Sequence, residues 1–182
     1  LAHTGQSESH VALELRDLLG QTLLQGKKRN HDETLEWLRE TVRARTERYG
    51  DSDRGLVTSL GNLGMLLGAR GEPDSAQALF ERALALAERH YPASDPRLCP
   101  SLNQLASAHQ RKASYDEARR LYERALAIEE AHPDFTPSVQ ASTLNNLAIL
   151  NKELGDLDAA RPLYERALAI RERVDGPNHP RV

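Results

Sequence analysis

The chain has 182 residues, a formal net charge of −3, and 39% hydrophobic but only 4% aromatic residues. So slight a charge gives no strong field, which argues against nonspecific attraction to nucleic acid or to an anionic membrane as its main activity. Cys99 is the sole cysteine. An internal disulfide framework is therefore excluded, a small core residue is its expected role, and a reducing, cytoplasmic compartment is the expected location. No apolar run approaches the roughly 20 residues needed to cross a bilayer. The chain starts at Leu1 rather than Met, which leaves room for a preceding signal or targeting segment.

Residues 1 to about 8 are polar, lack periodicity and are expected to fray. From about Ser9 to Gln25 the residues Val11, Leu15, Leu18, Leu19 and Leu23 fall on a helical stripe, which the run Gly26-Lys27-Lys28-Arg29 ends. Asn30 then opens a helix over 31–49 with a capping-box pattern completed by Glu33. The same punctuation returns at Glu72, Ser114 and Asp156, each 42 residues after the last, and Ser114 with Glu117 is the best capping box of the four. Gly71 and Gly155 mark tight turns in which a positive φ suits glycine. Between these units lie Gly50-Asp51-Ser52-Asp53, Tyr91 to Pro96, His132 to Pro137 and Asp175 to Pro180. Their prolines and short polar residues stop one helix and set up the next. First helices are thus expected over about 9–26, 54–70, 96–112 and 138–154, and their partners over about 31–49, 73–90, 115–131 and 157–174.

The segment Leu121-Tyr122-Glu123-Arg124-Ala125-Leu126-Ala127-Ile128 recurs from Leu163 to Ile170 and from Leu79 to Leu86, with a looser copy at Trp37 to Val42. Its step of 42 residues lies within the 20–50 range of stacked repeat architectures. The units read as about 9–50, 51–92, 93–134 and 135–176, with 177–182 starting a further one, all in a single domain over 1–182. In the second helices Ala76, Ala118 and Ala160 repeat, as do Ala83, Ala125 and Ala167, with the larger Phe80, Tyr122 and Tyr164 between them. The first helices repeat Leu60, Leu102 and Leu144, then Gly64, Ala106 and Ala148. Such interlocking of large and small side chains suits close packing. Glu123 and Arg124, with their equivalents, are expected on a solvated outer face.

These residues carry a resemblance. Leu-x-x-Leu-Ala or Leu-x-x-Leu-Gly, then a turn glycine, Asp/Glu-x-Ala and Tyr-Glu-Arg-Ala-Leu, resemble a tetratricopeptide repeat. The 42-residue step, with Ser142 to Ala148, Tyr164 to Ile170 and Asn178-His179-Pro180, is similar to the kinesin light chain type. The resemblance covers about residues 10–182 and implies an all-α, right-handed superhelix of four helix-turn-helix repeats, an α-solenoid. The first unit departs from the pattern, with Thr22, Thr34 and Thr41 in place of small residues, His31 where later units have Tyr115 or Leu157, and Trp37 in place of Leu. It reads as a terminal, cap-like unit. His109 and Asn151 occupy a place usually held by an aromatic, and His109 is expected to be a half-buried histidine hydrogen-bonded between helices.

The same resemblance implies that the first helices line a concave groove. Its ladders are Gly61, Asn103 and Asn145; Asn62, Gln104 and Asn146; and Leu23, Met65, Ser107 and Ile149. Amide side chains both donate and accept, so they can pair with a peptide main chain of any sequence. In similar repeats an Asn at the place of Asn62 and Asn146 holds an extended peptide, and the role carries over to these two and in part to Gln104. The inward charges are Arg16, Lys27, Arg111 and Lys152 against Glu153, so a preference for acidic or C-terminal-carboxylate ligands is expected.

Catalysis finds no support in the sequence. The seven histidines show no His-Glu-x-x-His or paired Cys/His spacing for a metal, and no Gly-rich phosphate loop occurs. No nucleophile stands in a recognisable motif with a base. A non-enzymatic protein without cofactor or metal is expected. Two classes of function remain: an adaptor or scaffold that binds a linear peptide, and a regulatory sensor or oligomerisation segment that packs on another domain. His179-Pro180-Arg181-Val182 resembles the start of a first helix, as at Asp95-Pro96-Arg97-Leu98. An exposed apolar C-terminal face that self-associates is the corresponding expectation.

Overall fold

Three of the turns between paired helices are built on one left-handed residue each. Gly71 has φ +84°, Gly155 has φ +82°, and Ala113 occupies the same place with φ +58°. In each turn two bonds close over the preceding helix end. Glu72 N–H donates to the Leu67 carbonyl and Gly71 N–H to Gly68, Ser114 to His109 and Ala113 to Gln110, Asp156 to Asn151 and Gly155 to Lys152. This is the double closure that satisfies the last carbonyls of a helix, and it requires a left-handed residue at its centre. A side chain at that angle is strained by about 1–2 kcal/mol. Glycine's greater freedom in the unfolded chain offsets part of that strain. Replacing Ala113 by Gly is therefore expected to stabilise the protein by about 0.5–1 kcal/mol, visible as a higher midpoint in a urea melt.

The computed structural model describes residues 9–25, 31–132 and 137–175. Among them are eight α-helices and no strand: α1 His10–Gln25, α2 His31–Tyr49, α3 Gly55–Ala69, α4 Pro73–His90, α5 Cys99–Arg111, α6 Tyr115–Ala131, α7 Pro137–Glu153 and α8 Leu157–Asp175. Short 3-10 turns at Gly50–Ser52 and Pro96–Leu98 precede α3 and α5. The expected helices are recovered within three residues at every end. The expected N-cap Asn30, the residues Gly26 to Arg29 and Pro133 to Thr136, and the continuation from Pro177 lie outside the described residues.

Helix starts differ from expectation at one point. Ser114 makes no side-chain cap bond; its backbone sits at ψ 67° rather than in the extended conformation a cap needs. Asp156 is the acid that caps, its Oδ1 accepting from Ala159 N–H at 3.0 Å.

The chain packs as two compact units whose boundary, between Leu86 and Ala87, falls inside α4. In the first unit Leu56 and Leu60 of α3 meet Ala83 and Leu86 of α4, with Val42, Val57 and Leu79 around them. Gly64 is the small partner of Phe80: a Cβ there would stand 2.6 Å from the ring. In the second unit Ala106, Ala118, Tyr122, Leu147 and Leu150 form the core, flanked by Tyr115, Leu121, Leu126 and Leu163. The expected small-large alternation is thus the packing rule in both units.

Helix α1 breaks the rule. Its apolar stripe faces solvent: Val11 and Leu15 are each 62% exposed, Leu18 60% and Leu19 43%. Leu13, Asp17 and Gly20 point inward instead. Gly20 lets Leu38 approach so closely that a Cβ would meet it at 2.8 Å. The side chain of Leu23 lies outside the described residues.

The outer-face charges also do more than meet solvent. Arg124 donates to Glu88 at 2.5 Å and Arg166 to Glu130 at 2.6 Å, each reaching an acid 36 residues earlier on another second helix. These exposed pairs contribute about 0.2–1 kcal/mol each.

Candidate functional site

In the second unit α5 and α7 pack together, and the repeat places polar residues at equivalent positions of both helices. Gln104, Ser107, Asn145, Asn146 and Ile149 are half-buried there, while Arg111 and Lys152 are exposed. Gln110 ties the two helices: its Nε2 donates to Glu153 Oε2 at 2.8 Å, and its Oε1 accepts from the Tyr122 hydroxyl at 3.3 Å. Glu153 is therefore engaged, and Lys152 beside it presents a positive charge. Asn103 is engaged as well, its Nδ2 donating to Thr143 Oγ1 of α7 at 2.6 Å. Among the described residues no hydrogen bond occupies the side chains of Gln104, Asn145 or Asn146. The face thus combines fixed charges with amide donors and acceptors still unspent.

The first-unit candidates fall differently. Asn62 is buried at 2% exposure, and its Nδ2 donates to the Asp17 backbone carbonyl at 3.4 Å. It belongs to the packing of α3 on α1 and not to a surface a ligand can reach. The physical cause is the rotation of α1, which turns Asp17 inward. Met65 is 41% exposed, Gly61 is buried, and the Arg16 guanidinium lies 6.0 Å over the Trp37 ring. Lys27 lies outside the described residues. His109 is half-buried as expected, but no hydrogen bond to its ring is found. Cys99 is wholly buried, and burial pushes its thiol up to about 12.

Two family models described as tetratricopeptide repeat match the chain, one over residues 11–89 and the other over 101–137 and 140–181. The chain belongs to the tetratricopeptide repeat family. No curated protein matches it. Solved structures similar to it include BtubC (BKLC) from P. vanneervenii, with a TM-score of 0.78 and 22% identity over 98% of this chain and 70% of that one. A Podosopora anserina protein of nearly identical kinesin light chain TPR-like repeats gives a TM-score of 0.74 and 23% identity over 95% of this chain and 81% of that one. A variant of the latter gives 0.73 at the same identity, over 92% and 78%. These likenesses establish the all-α solenoid fold, and tetratricopeptide repeats generally mediate protein–protein interaction. No described helix is long and apolar enough to cross a membrane.

The tetratricopeptide framework exposes residues that the sequence reading passed over. Positions 45, 87, 129 and 171, one per repeat, hold Arg45, Ala87, Glu129 and Arg171. Arg45 is wholly buried in the first unit. Its Nη2 and Nε donate to Asp17 Oδ2 at 2.8 and 3.1 Å, and its Nη1 to Asp53 Oδ2 at 2.7 Å. Ser59 donates to Asp17 at 2.7 Å, and Gly55 N–H to Asp53 Oδ1 at 2.9 Å. Burial pushes the Asp17 carboxyl above its ordinary value while Ser59 and Arg45 pull it back. Glu129, two repeats on, is 3% exposed and accepts from Thr143 Oγ1 at 2.9 Å. Burial pushes it up to about 7, against the pull of Thr143 and Cys99. Three of the four, Arg45, Ala87 and Glu129, are buried, and a charge buried at such a position needs a partner or a proton.

Proposed function

We propose that the protein is an adaptor or scaffold module that binds an extended peptide along the α5/α7 face, favouring acidic or carboxylate-terminated ligands. The observation that supports this is the set of half-buried amides, Gln104, Asn145 and Asn146, with no bond to any described residue. Main-chain N–H and C=O groups of a peptide complement them in both directions. Ile149 offers an apolar contact for one ligand side chain, and Arg111 and Lys152 supply the attraction for acids. Asn103 supports the face from beneath. Asn62 drops out of the surface, and in the first unit Met65 is the exposed groove candidate. The chemistry needs no cofactor, metal or catalytic group. A labelled peptide library is the test, read against a Gln104→Ala/Asn146→Ala variant. Micromolar binding of acidic peptides, about −8 kcal/mol, should weaken at least tenfold in the variant and fall with added salt. Equal binding by both proteins would remove the amides from the mechanism.

A second reading, self-association through the C-terminal end, is favoured by a separate observation. Leu154, Leu157, Leu168 and Val174 are 43, 62, 44 and 44% exposed. Its expected result is a solution mass that rises with concentration, and a constant monomer mass would count against it.

A further inference from the structure

The buried charges at the equivalent positions 45 and 129 are handled in opposite ways. Arg45 has two carboxylates beside it. Glu129 has no ion pair among the described residues, yet it lies in the core where α5, α6 and α7 meet. Its Oε1 accepts from Thr143; its Oε2 is fully buried with no partner, and so is Oδ1 of Asn103, the residue bonded to the other side of Thr143. The charged groups near it make matters worse. Glu130 adjoins it on α6, where it is turned to Arg166; at the turn leading to α5, Asp95 and Arg97 pair with each other at 2.6 Å, and Asp95 bears on Cys99 rather than on Glu129. Cys99 faces it from α5, and Thr143 is the hydroxyl that α7 presents. His132, at the end of α6, has its ring nitrogen on the Ile128 carbonyl. Beyond Thr143 the carboxylate has only the weak thiol donor of Cys99, whose Sγ also lies 3.6 Å from the Ala125 carbonyl, and a proton on Glu129 relieves that shortage.

We propose that Glu129 is a buried proton switch: the α6–α7 junction is closed while Glu129 is a neutral acid and loosens when it ionises, so partner binding on the α5/α7 face is tighter in mildly acidic than in alkaline solution. The effect on binding rests on the reading of that face as the ligand surface; the switch itself does not. The mechanical link is short. Thr143 stands on α7 two and three residues before Asn145 and Asn146, and it accepts from Asn103 of α5. An ionised Glu129 without a cation must draw in water or lose its burial. Either response moves Thr143 and the amides that share its helix. Burial sets the carboxyl near 7, so the change falls within the physiological range.

The test is hydrogen exchange on the full chain without ligand, at pH 6 and pH 8, expressed as protection relative to the free amides. Protection across α7 should fall about tenfold between the two pH values, while that of α3 changes little. In Glu129→Gln, whose amide supplies the missing donor without a charge, α7 protection should be the same at both. Constant α7 protection in the native chain overturns the switch, and this result needs no variant to fold. A parallel fall in the Gln variant overturns it too. If α7 loosens and no peptide binds at either pH, the switch stands and the ligand surface alone is refuted.

Discussion

Replacing Arg45 by Ala should cost about 3–5 kcal/mol, the largest loss expected from any single substitution in the first unit. The guanidinium is wholly buried and is the cation held between Asp17 and Asp53. Without it two carboxylates remain in the interior with the Ser59 hydroxyl and the Gly55 N–H as neutral donors. The cost is less the value of the ion pair than the burial of what it leaves behind. That distinction can be measured. In Arg45→Ala the Asp17 carboxyl, already raised by burial, loses the pull of the guanidinium and gains its proton more readily folded than unfolded, so its burden is lifted as pH falls. The deficit relative to the native chain should therefore be smaller near pH 4.5 than at pH 7. Arg45→Lys should also lose stability, because one ammonium cannot reproduce the fork that serves two carboxylates. Gly55→Ala probes the same site from the backbone, since its Cβ would stand 2.3 Å from Arg45 Nη1, an atom with no freedom to retreat. Urea melts give the answer: an Arg45→Ala midpoint within error of the native one would mean that the network adds nothing.

This network also marks where the sequence stopped being readable. Helix ends could be found because they depend on residues adjacent in the chain, such as Gly71 and Gly155 at left-handed turns. Ala113 fills the third such turn and carries no local sign that it does. The rotation of α1 was beyond a stripe of apolar residues. Val11, Leu15 and Leu18 form the better hydrophobic face, yet a pairing of Asp17 with Arg45 across 28 residues turns the other face inward. One error then produced the next. Once Asp17 faces in, its backbone carbonyl takes the amide of Asn62, and a residue matching the ladder of Asn146 becomes part of the core. In the second unit no such charge rotates α5 or α7, and Gln104, Asn145 and Asn146 are half-buried. What local pattern could not reveal is the burial of Asn62, because a long-range ion pair decides it.

Glu129→Gln should make the protein more stable at pH 8 and leave it nearly unchanged at pH 5. The carboxyl titrates near 7 when folded, raised chiefly by burial from an ordinary value of 4.5. The folded chain therefore holds this proton more tightly than the unfolded one. Its contribution is complete below 4.5, declines as pH rises, and is lost once pH passes about 7. Over that window the native chain should give up about 3 kcal/mol relative to the variant. Histidines and surface acids titrate in both proteins, so the difference between their two stability curves isolates Glu129. Thermal melts from pH 5 to pH 8.5 should show the two midpoints diverging, the Gln variant above. Parallel curves would place the ionised carboxylate in contact with water or a cation. A variant less stable at every pH would mean that Thr143 bonds a carboxyl oxygen in a way an amide cannot replace. Divergence between about pH 4.5 and 7 that stays constant above is the outcome the geometry requires, because Thr143 is the hydrogen-bond donor placed on Oε1 and Oε2 has no such partner. In the first unit the matching position solved the same problem with a cation and two acids. Here the proton takes the place of the counter-ion, and stability is tied to pH as a result.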